Sequence, residues 1–217
     1  MTHRIVTIIL LIGLAFSAHL FSSRLGSARL PGNQQGYEPA QPIAYSHRLH
    51  AGELKIDCLY CHSGAVRSRH AGIPAGNVCL NCHTQVRASF GAVRQEDELA
   101  AKENRKPGLV TSAALSRLYQ AMGLDPEAEI QPQRIRAGVS WTRVHNLPDF
   151  VYFDHRAHVT AGVACQVCHG PVETMERMRQ FSTLSMGWCV NCHRDANRKG
   201  IQGRTVNASI DCATCHY

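Results

Sequence analysis

Aromatic residues are scarce, 6 % of a 217-residue chain, and the hydrophobic fraction of 44 % counts ten cysteines and an apolar N-terminus. With those set aside, little remains from which an ordinary side-chain core could be built, so something else has to fill the interior. No cysteine stands outside a closely spaced pair, which removes the usual scattered disulfide framework. No cysteine lies near the N-terminus either, which excludes a lipoprotein anchor on this chain.

What is present begins with a seventeen-residue apolar run, Ile5 to Phe21, preceded by His3 and Arg4 and followed by Arg24 and Arg29. That is at the short end of what crosses a bilayer, where roughly 17–25 residues are needed. A signal peptide has the same charged start and apolar middle. No clean A-x-A site follows, so residues 1–22 are read as a retained membrane anchor. The flanking charges alone leave its orientation open.

All ten cysteines fall into five copies of C-x-x-C-H. They are Cys58, Cys61 and His62; Cys79, Cys82 and His83; Cys165, Cys168 and His169; Cys189, Cys192 and His193; and Cys212, Cys215 and His216. This is the attachment pattern of c-type haem. Two thiols one short turn apart add across the two vinyl groups of one porphyrin, and the adjacent histidine supplies the proximal iron ligand. Structural zinc uses two C-x-x-C pairs per metal and gives no reason for a histidine after each. A thioredoxin-like dithiol would be single. Five copies that use every cysteine point to five covalently bound haems. The formal net charge of +7 then reads as a partial counterweight to two propionates per haem rather than as a nucleic-acid surface. Haem attachment takes place outside the cytoplasm, which sets an N-in, C-out topology with the haem part on the periplasmic side of the inner membrane.

Eight histidines remain for the far side of each iron. His3 and His19 belong to the anchor. Tyr45-x-His47-x-x-His50 ends eight residues before Cys58, and Phe153-x-His155-x-x-His158 ends seven residues before Cys165. Histidines three apart on a helical turn project along neighbouring directions, so each pair is suited to serve two irons. With His145, these four supply five distal candidates. His70 is a further possible ligand. Methionine is the other natural axial ligand, with Met175 and Met186 as candidates, although methionine is more often core filler.

The fold expected is mostly irregular with short α-helices, packed around haem, behind one N-terminal transmembrane helix. Residues 23–42, with Pro31, Gly32, Gly36, Pro39 and Pro42, read as a tether. Residues 43–90 form a dihaem module and 141–217 a trihaem module, an imperfect internal repeat. The cysteine-free insert 91–140 has a charged first part, a break at Pro107-Gly108, and a helix from about Thr111 to Met122 capped by Thr111 or Ser112 and stopped by Gly123. It packs on a partner subunit or forms a surface loop of this chain.

The stretch Gln41 to His83, the stretch Val144 to Arg194 and the terminal Asp211 to Tyr217 resemble the class III, or cytochrome c7-like (c3/c7-like), multihaem cytochromes. Five motifs behind an N-terminal anchor are similar to the pentahaem subunits of alternative complex III. The resemblance implies an electron-transfer subunit of a membrane quinol:acceptor oxidoreductase, with mostly bis-histidine haems. It implies as partners an iron–sulfur/molybdopterin-like subunit and integral quinol-binding subunits. A monohaem cytochrome, a small copper protein or a terminal oxidase would be the acceptor.

Two other classes compete. A multihaem enzyme such as a nitrite reductase needs an open iron position, whereas distal candidates here equal or exceed the irons. A stand-alone membrane-tethered quinol dehydrogenase or periplasmic shuttle is the alternative, against which a single anchor and about 217 residues offer no evident quinone pocket.

Overall fold

The computed structural model describes residues 2–25, 34–129 and 137–217. Part of the expected tether (residues 26–33) and part of the insert (residues 130–136) lie outside the described residues. Nine α-helices are described: α1 (Thr2–Leu25), α2 (Cys58–Cys61), α3 (Gly76–His83), α4 (Phe90–Lys102), α5 (Ala113–Met122), α6 (His155–Ala161), α7 (Cys165–His169), α8 (Met186–Lys199) and α9 (Cys212–Cys215). A π-turn spans Arg48–Glu53, and 3₁₀ turns span Ser63–Val66 and Val172–Thr174. Pairing between extended segments is limited, among the described residues, to the isolated bridges Val151–His216 and Ile201–Arg204. The expected mostly irregular, short-helix architecture is what is found.

Helix α1 is apolar and solvent-facing throughout His3–Ser22, 20 residues long and apolar enough to cross a membrane. At 1.5 Å per residue that is about 30 Å, the thickness of a bilayer core. Residues 34–42 do not stand free. The backbone N–H of Gly36 donates to the carbonyl of Gln180 at 2.7 Å, and the N–H of Gln180 donates back to Tyr37 at 3.0 Å. The Gln41 side-chain amide closes a double hydrogen bond with the Thr142 backbone, 2.9 Å each way.

The two H-x-x-H segments cross over one another's motifs. The π-turn at 48–53 packs on the 3₁₀ turn Val172–Thr174 that follows the third motif. Helix α6 packs on the 3₁₀ turn Ser63–Val66 that follows the first. Backbone bonds repeat the reciprocity: Arg48 N–H donates to the Met175 carbonyl at 2.9 Å, and His155 N–H donates to the Arg69 carbonyl at 3.2 Å. The repeated halves are therefore interlocked rather than set side by side. Approach is close at Gly52, where a Cβ would lie 2.1 Å from the Glu173 carbonyl oxygen.

The insert has two helices. Ser89 caps α4, whose solvated face carries an Arg94–Glu98 pair at 3.1 Å. Ser112 caps α5, and Gly123 stops it in the left-handed region. Helix α5 packs on α3, the helix of the second motif. Tyr119 and Leu118 are buried there, and the Tyr119 hydroxyl donates to the carbonyl of His83.

Among the described residues, the buried hydrophobic side chains are Ile43, Ala65, Ala100, Leu118, Tyr119, Leu124, Val144 and Met175. That is too small a core to hold so many short turns together. Leu59 and Val167, inside C-x-x-C pairs, stay exposed, where flat apolar groups would cover them.

Candidate haem sites

Each cysteine pair lies on a helical turn, so that residues three apart share a face. Asp57 caps α2, accepting from the Leu59 N–H at 2.7 Å. Asp211 caps α9, accepting from Ala213 at 3.0 Å. Ser185 caps α8 through the Trp188 N–H at 3.4 Å. The caps on α2 and α9 hold turns that, at four residues, are too short to persist alone. None of the ten cysteines is in a disulfide.

Imidazoles from the two H-x-x-H segments face proximal histidines. His47 and His62 are 6.5 Å apart between ring centres, with planes at 12°. His155 and His169 are 6.4 Å apart at 5°. His50 and His83 are 6.0 Å apart, and His158 and His193 5.9 Å. Two imidazoles gripping one metal from opposite sides stand roughly 6 Å apart, from metal–nitrogen bonds of about 2 Å and about 1.1 Å from nitrogen to ring centre. Each H-x-x-H thus spans two sites, the first and second motifs in one half and the third and fourth in the other. Among the described residues no group of three or more His, Cys, Asp or Glu could hold a bare ion. Two facing imidazoles per site suit an iron whose equatorial ligands come from a porphyrin.

The ring orientations have identifiable causes. Nδ1 of His62 is 2.7 Å from the Gly72 carbonyl oxygen, that of His83 2.7 Å from Val86, and that of His193 2.6 Å from Ser209. On the distal side, His50 meets the Ser46 carbonyl at 2.8 Å, His155 that of Arg69 at 2.7 Å, and His158 that of Asp154 at 2.8 Å. An Nδ1–H donated to a carbonyl leaves Nε2 bare for a metal. Tyr45 stacks on His50 at 4.5 Å and meets His47 edge-on at 4.9 Å. Phe153 does the same for His158 (4.6 Å) and His155 (4.9 Å). The aromatic two residues before each pair is thus a wedge that separates and steadies both rings. The first segment has one more residue before its motif than the second, and it contains the π-turn, which takes up an extra residue per turn.

Burial keeps His47 and His169 neutral, the ligand form. His47 is pushed down to about 4 by burial, with help from His62 and His50. His169 is pushed down to about 3 by burial and then by His145, His155, His62 and His47. Burial, then neighbouring Cys192, Cys189 and Cys165, pushes the Cys168 thiol up to about 11. Nδ1 of His47 is buried without a partner, the one orphan among the eight paired rings.

The thiols also define neighbours between sites. Burial and then neighbouring Cys165 push the Cys58 thiol up, which sets the first motif beside the third. Cys61 adjoins Cys82 and Cys79, linking the first and second. Cys168 adjoins Cys192 and Cys189, linking the third and fourth, and Cys189 adjoins Cys215, linking the fourth and fifth.

The remaining candidates are placed differently. His145 packs against His169, ring centres 4.4 Å apart, with its Nε2 3.1 Å from His169 Nδ1; the structure does not bring it opposite His216. His216 faces Phe150, at 5.8 Å between ring centres. Met175 is buried under the first H-x-x-H segment. Met186 is exposed in the first turn of α8, three residues before Cys189. His70 is exposed, with its backbone bonded to Ser68. Sequence reasoning missed the carbonyls of Arg69, Gly72, Val86 and Ser209, which have no side-chain signature. It did register the aromatic before each H-x-x-H, though not its role as a wedge.

A family model described as cytochrome c7 and related cytochrome c matches residues 151–217, the segment with the second H-x-x-H and the last three motifs. The chain is 25 % identical over 199 residues to the menaquinone reductase multiheme cytochrome c subunit of Nitratidesulfovibrio vulgaris (strain Hildenborough), covering 81 % of this chain and 76 % of the relative. It is 36 % identical over 69 residues to the multiheme cytochrome MtrA of Shewanella baltica (strain OS185), covering 26 % of this chain and 21 % of that protein. These likenesses agree with covalently bound c-type haem and with a short-helix, strand-free cytochrome architecture.

Proposed function

We propose that this chain is the electron-transfer subunit of a membrane quinone-linked oxidoreductase and carries five covalently bound haems c. The observation that carries the reading is the set of four imidazole pairs 5.9–6.5 Å apart, each opposite a C-x-x-C-H histidine. Haem iron supplies one-electron redox chemistry when bound. The protein residues do the rest. Cys58, Cys61, Cys79, Cys82, Cys165, Cys168, Cys189, Cys192, Cys212 and Cys215 fasten the groups. His62, His83, His169, His193 and His216 are the proximal ligands, and His47, His50, His155 and His158 close four sites from the far side. The neighbouring thiols support a row in the order second, first, third, fourth, fifth, with the second and fifth as its ends.

For the fifth site the supply of a sixth ligand falls to Met186 ahead of Met175 and His70. Met186 is exposed in the first turn of α8, three residues before Cys189, whereas Met175 is packed away in the first half. Helix α1 anchors the haem part to the membrane on the periplasmic side. The relative, a subunit of a menaquinone reductase, supports assembly into a quinone-linked complex; the resemblance to alternative complex III adds integral quinol-binding subunits and an iron–sulfur/molybdopterin-like partner to the proposal. A small copper protein or monohaem cytochrome is then the acceptor when electrons leave the row outward. Because a row of haems conducts in either direction, the potentials of its two ends decide whether quinol is oxidised or menaquinone reduced.

The test is the mass and the redox titration of the purified chain. Five covalently added porphyrins, low-spin spectra and fractionation with the membrane are expected. A colourless protein, or one whose mass shows no porphyrin, would refute the reading. Recovery as a lone monomer after mild solubilisation would favour a stand-alone shuttle instead.

A further inference from the structure

We propose that His145 is a positioning residue for the third site, accepting the Nδ1–H of His169 and so setting the potential there, rather than the sixth ligand of any iron. This rests on the haem reading above. A histidine that binds metal through Nε2 keeps its proton on Nδ1, so His169 donates and Nε2 of His145, 3.1 Å away, accepts. Every other paired ring with an Nδ1 contact meets a backbone carbonyl. The third site alone uses a side-chain base.

The loop is built to hold that base in place. Gln41 grips Thr142 from one side through two bonds of 2.9 Å. Gln180, fully buried, accepts the Asn146 N–H at 3.3 Å and donates to the Ser182 carbonyl at 3.1 Å. Val144 is buried between these two clasps. The ring of His145 stands at 84° to that of His169, 4.4 Å between centres. In this pose its Nε2 is engaged with a proximal ligand and is unavailable to an iron of its own. An imidazole nitrogen is a more basic acceptor than a carbonyl oxygen. Its pull on the Nδ1 proton raises the basicity of His169 towards iron and favours the ferric state, which lowers the potential.

The test uses the membrane-purified holoprotein with its haems counted by mass. In His145→Ala all haems are expected to remain low-spin. A single midpoint rises in a redox-poised titration while the others stay in place. His145→Gln keeps an acceptor, though a weaker one, and is expected to show the same spin state with a smaller rise of the same midpoint. It also serves if the alanine variant fails to accumulate. A new high-spin, carbon-monoxide-binding haem in either variant would make His145 a ligand and overturn the proposal. So would unchanged midpoints with only a lowered melting temperature. If the wild-type protein carries no covalent haem, the functional reading fails first; if it does and the variants show no shift, only the role of His145 fails.

Discussion

His158 donates its Nδ1–H to the Asp154 carbonyl and faces His193 across 5.9 Å, with Phe153 stacked behind it. Nothing else among the described residues is placed to serve as the far-side ligand of the fourth site. His158→Ala is therefore expected to convert one haem from low-spin to high-spin and to create one carbon-monoxide-binding site. Ferrous minus ferrous–CO difference spectra measure this directly. An unchanged low-spin spectrum would mean that another residue reaches the fourth iron. The contrast with His145 is instructive at this scale. Both are buried or half-buried imidazoles near a proximal histidine, but one presents Nε2 to a 6 Å gap and the other spends it on a hydrogen bond. Only the orientation, set by carbonyls and stacking aromatics, separates ligand from tuner.

At the scale of elements, the π-turn at Arg48–Glu53 does more than absorb a residue. It brings Gly52 against the 3₁₀ turn Val172–Thr174, where any Cβ would overlap the Glu173 carbonyl. Backbone cannot move aside as a flexible side chain can. Gly52→Ala is expected to destabilise the holoprotein by about 1–3 kcal/mol, the usual cost of overpacking, measured as a fall in the denaturant midpoint at constant m-value. A midpoint unchanged within error would show that these turns do not carry the interlock. Helix α5 acts similarly for the second site, its buried Tyr119 holding the carbonyl of His83. An insert without cysteines is thus tied to the histidine of the second motif.

For the whole molecule, the interlocked halves leave little apolar core of their own, so the haems have to supply the missing interior. Thiols of the third motif have neighbours in both the first and the fourth, Cys58, Cys189 and Cys192, whereas for the fifth motif the neighbour found among the described residues is Cys189 of the fourth. Replacing both cysteines of the third motif (Cys165→Ala with Cys168→Ala) is expected to lower the melting temperature more than the same change in the fifth (Cys212→Ala with Cys215→Ala). Thermal melts of the two variants, each with its remaining haems verified by mass, make the comparison. Equal losses would mean that the row does not run through the third site.

The attachment motifs, the paired histidines, the apolar N-terminal helix and the helix at Ala113–Met122 were all legible in the sequence. Each rests on interactions between residues a few positions apart: thiols one turn from each other, a hydroxyl capping the next turn, a glycine ending it. Local chemistry of that kind is written in spacing. Which histidine faces which, the crossing of the two halves, the order of the sites and the capture of His145 by His169 were not legible. Those follow from the packing of segments a hundred residues apart and from backbone carbonyls such as those of Arg69 and Ser209, which no residue type announces. Only the folded chain brings such groups to within 3 Å of each other, and at that distance a hydrogen bond decides where an imidazole points.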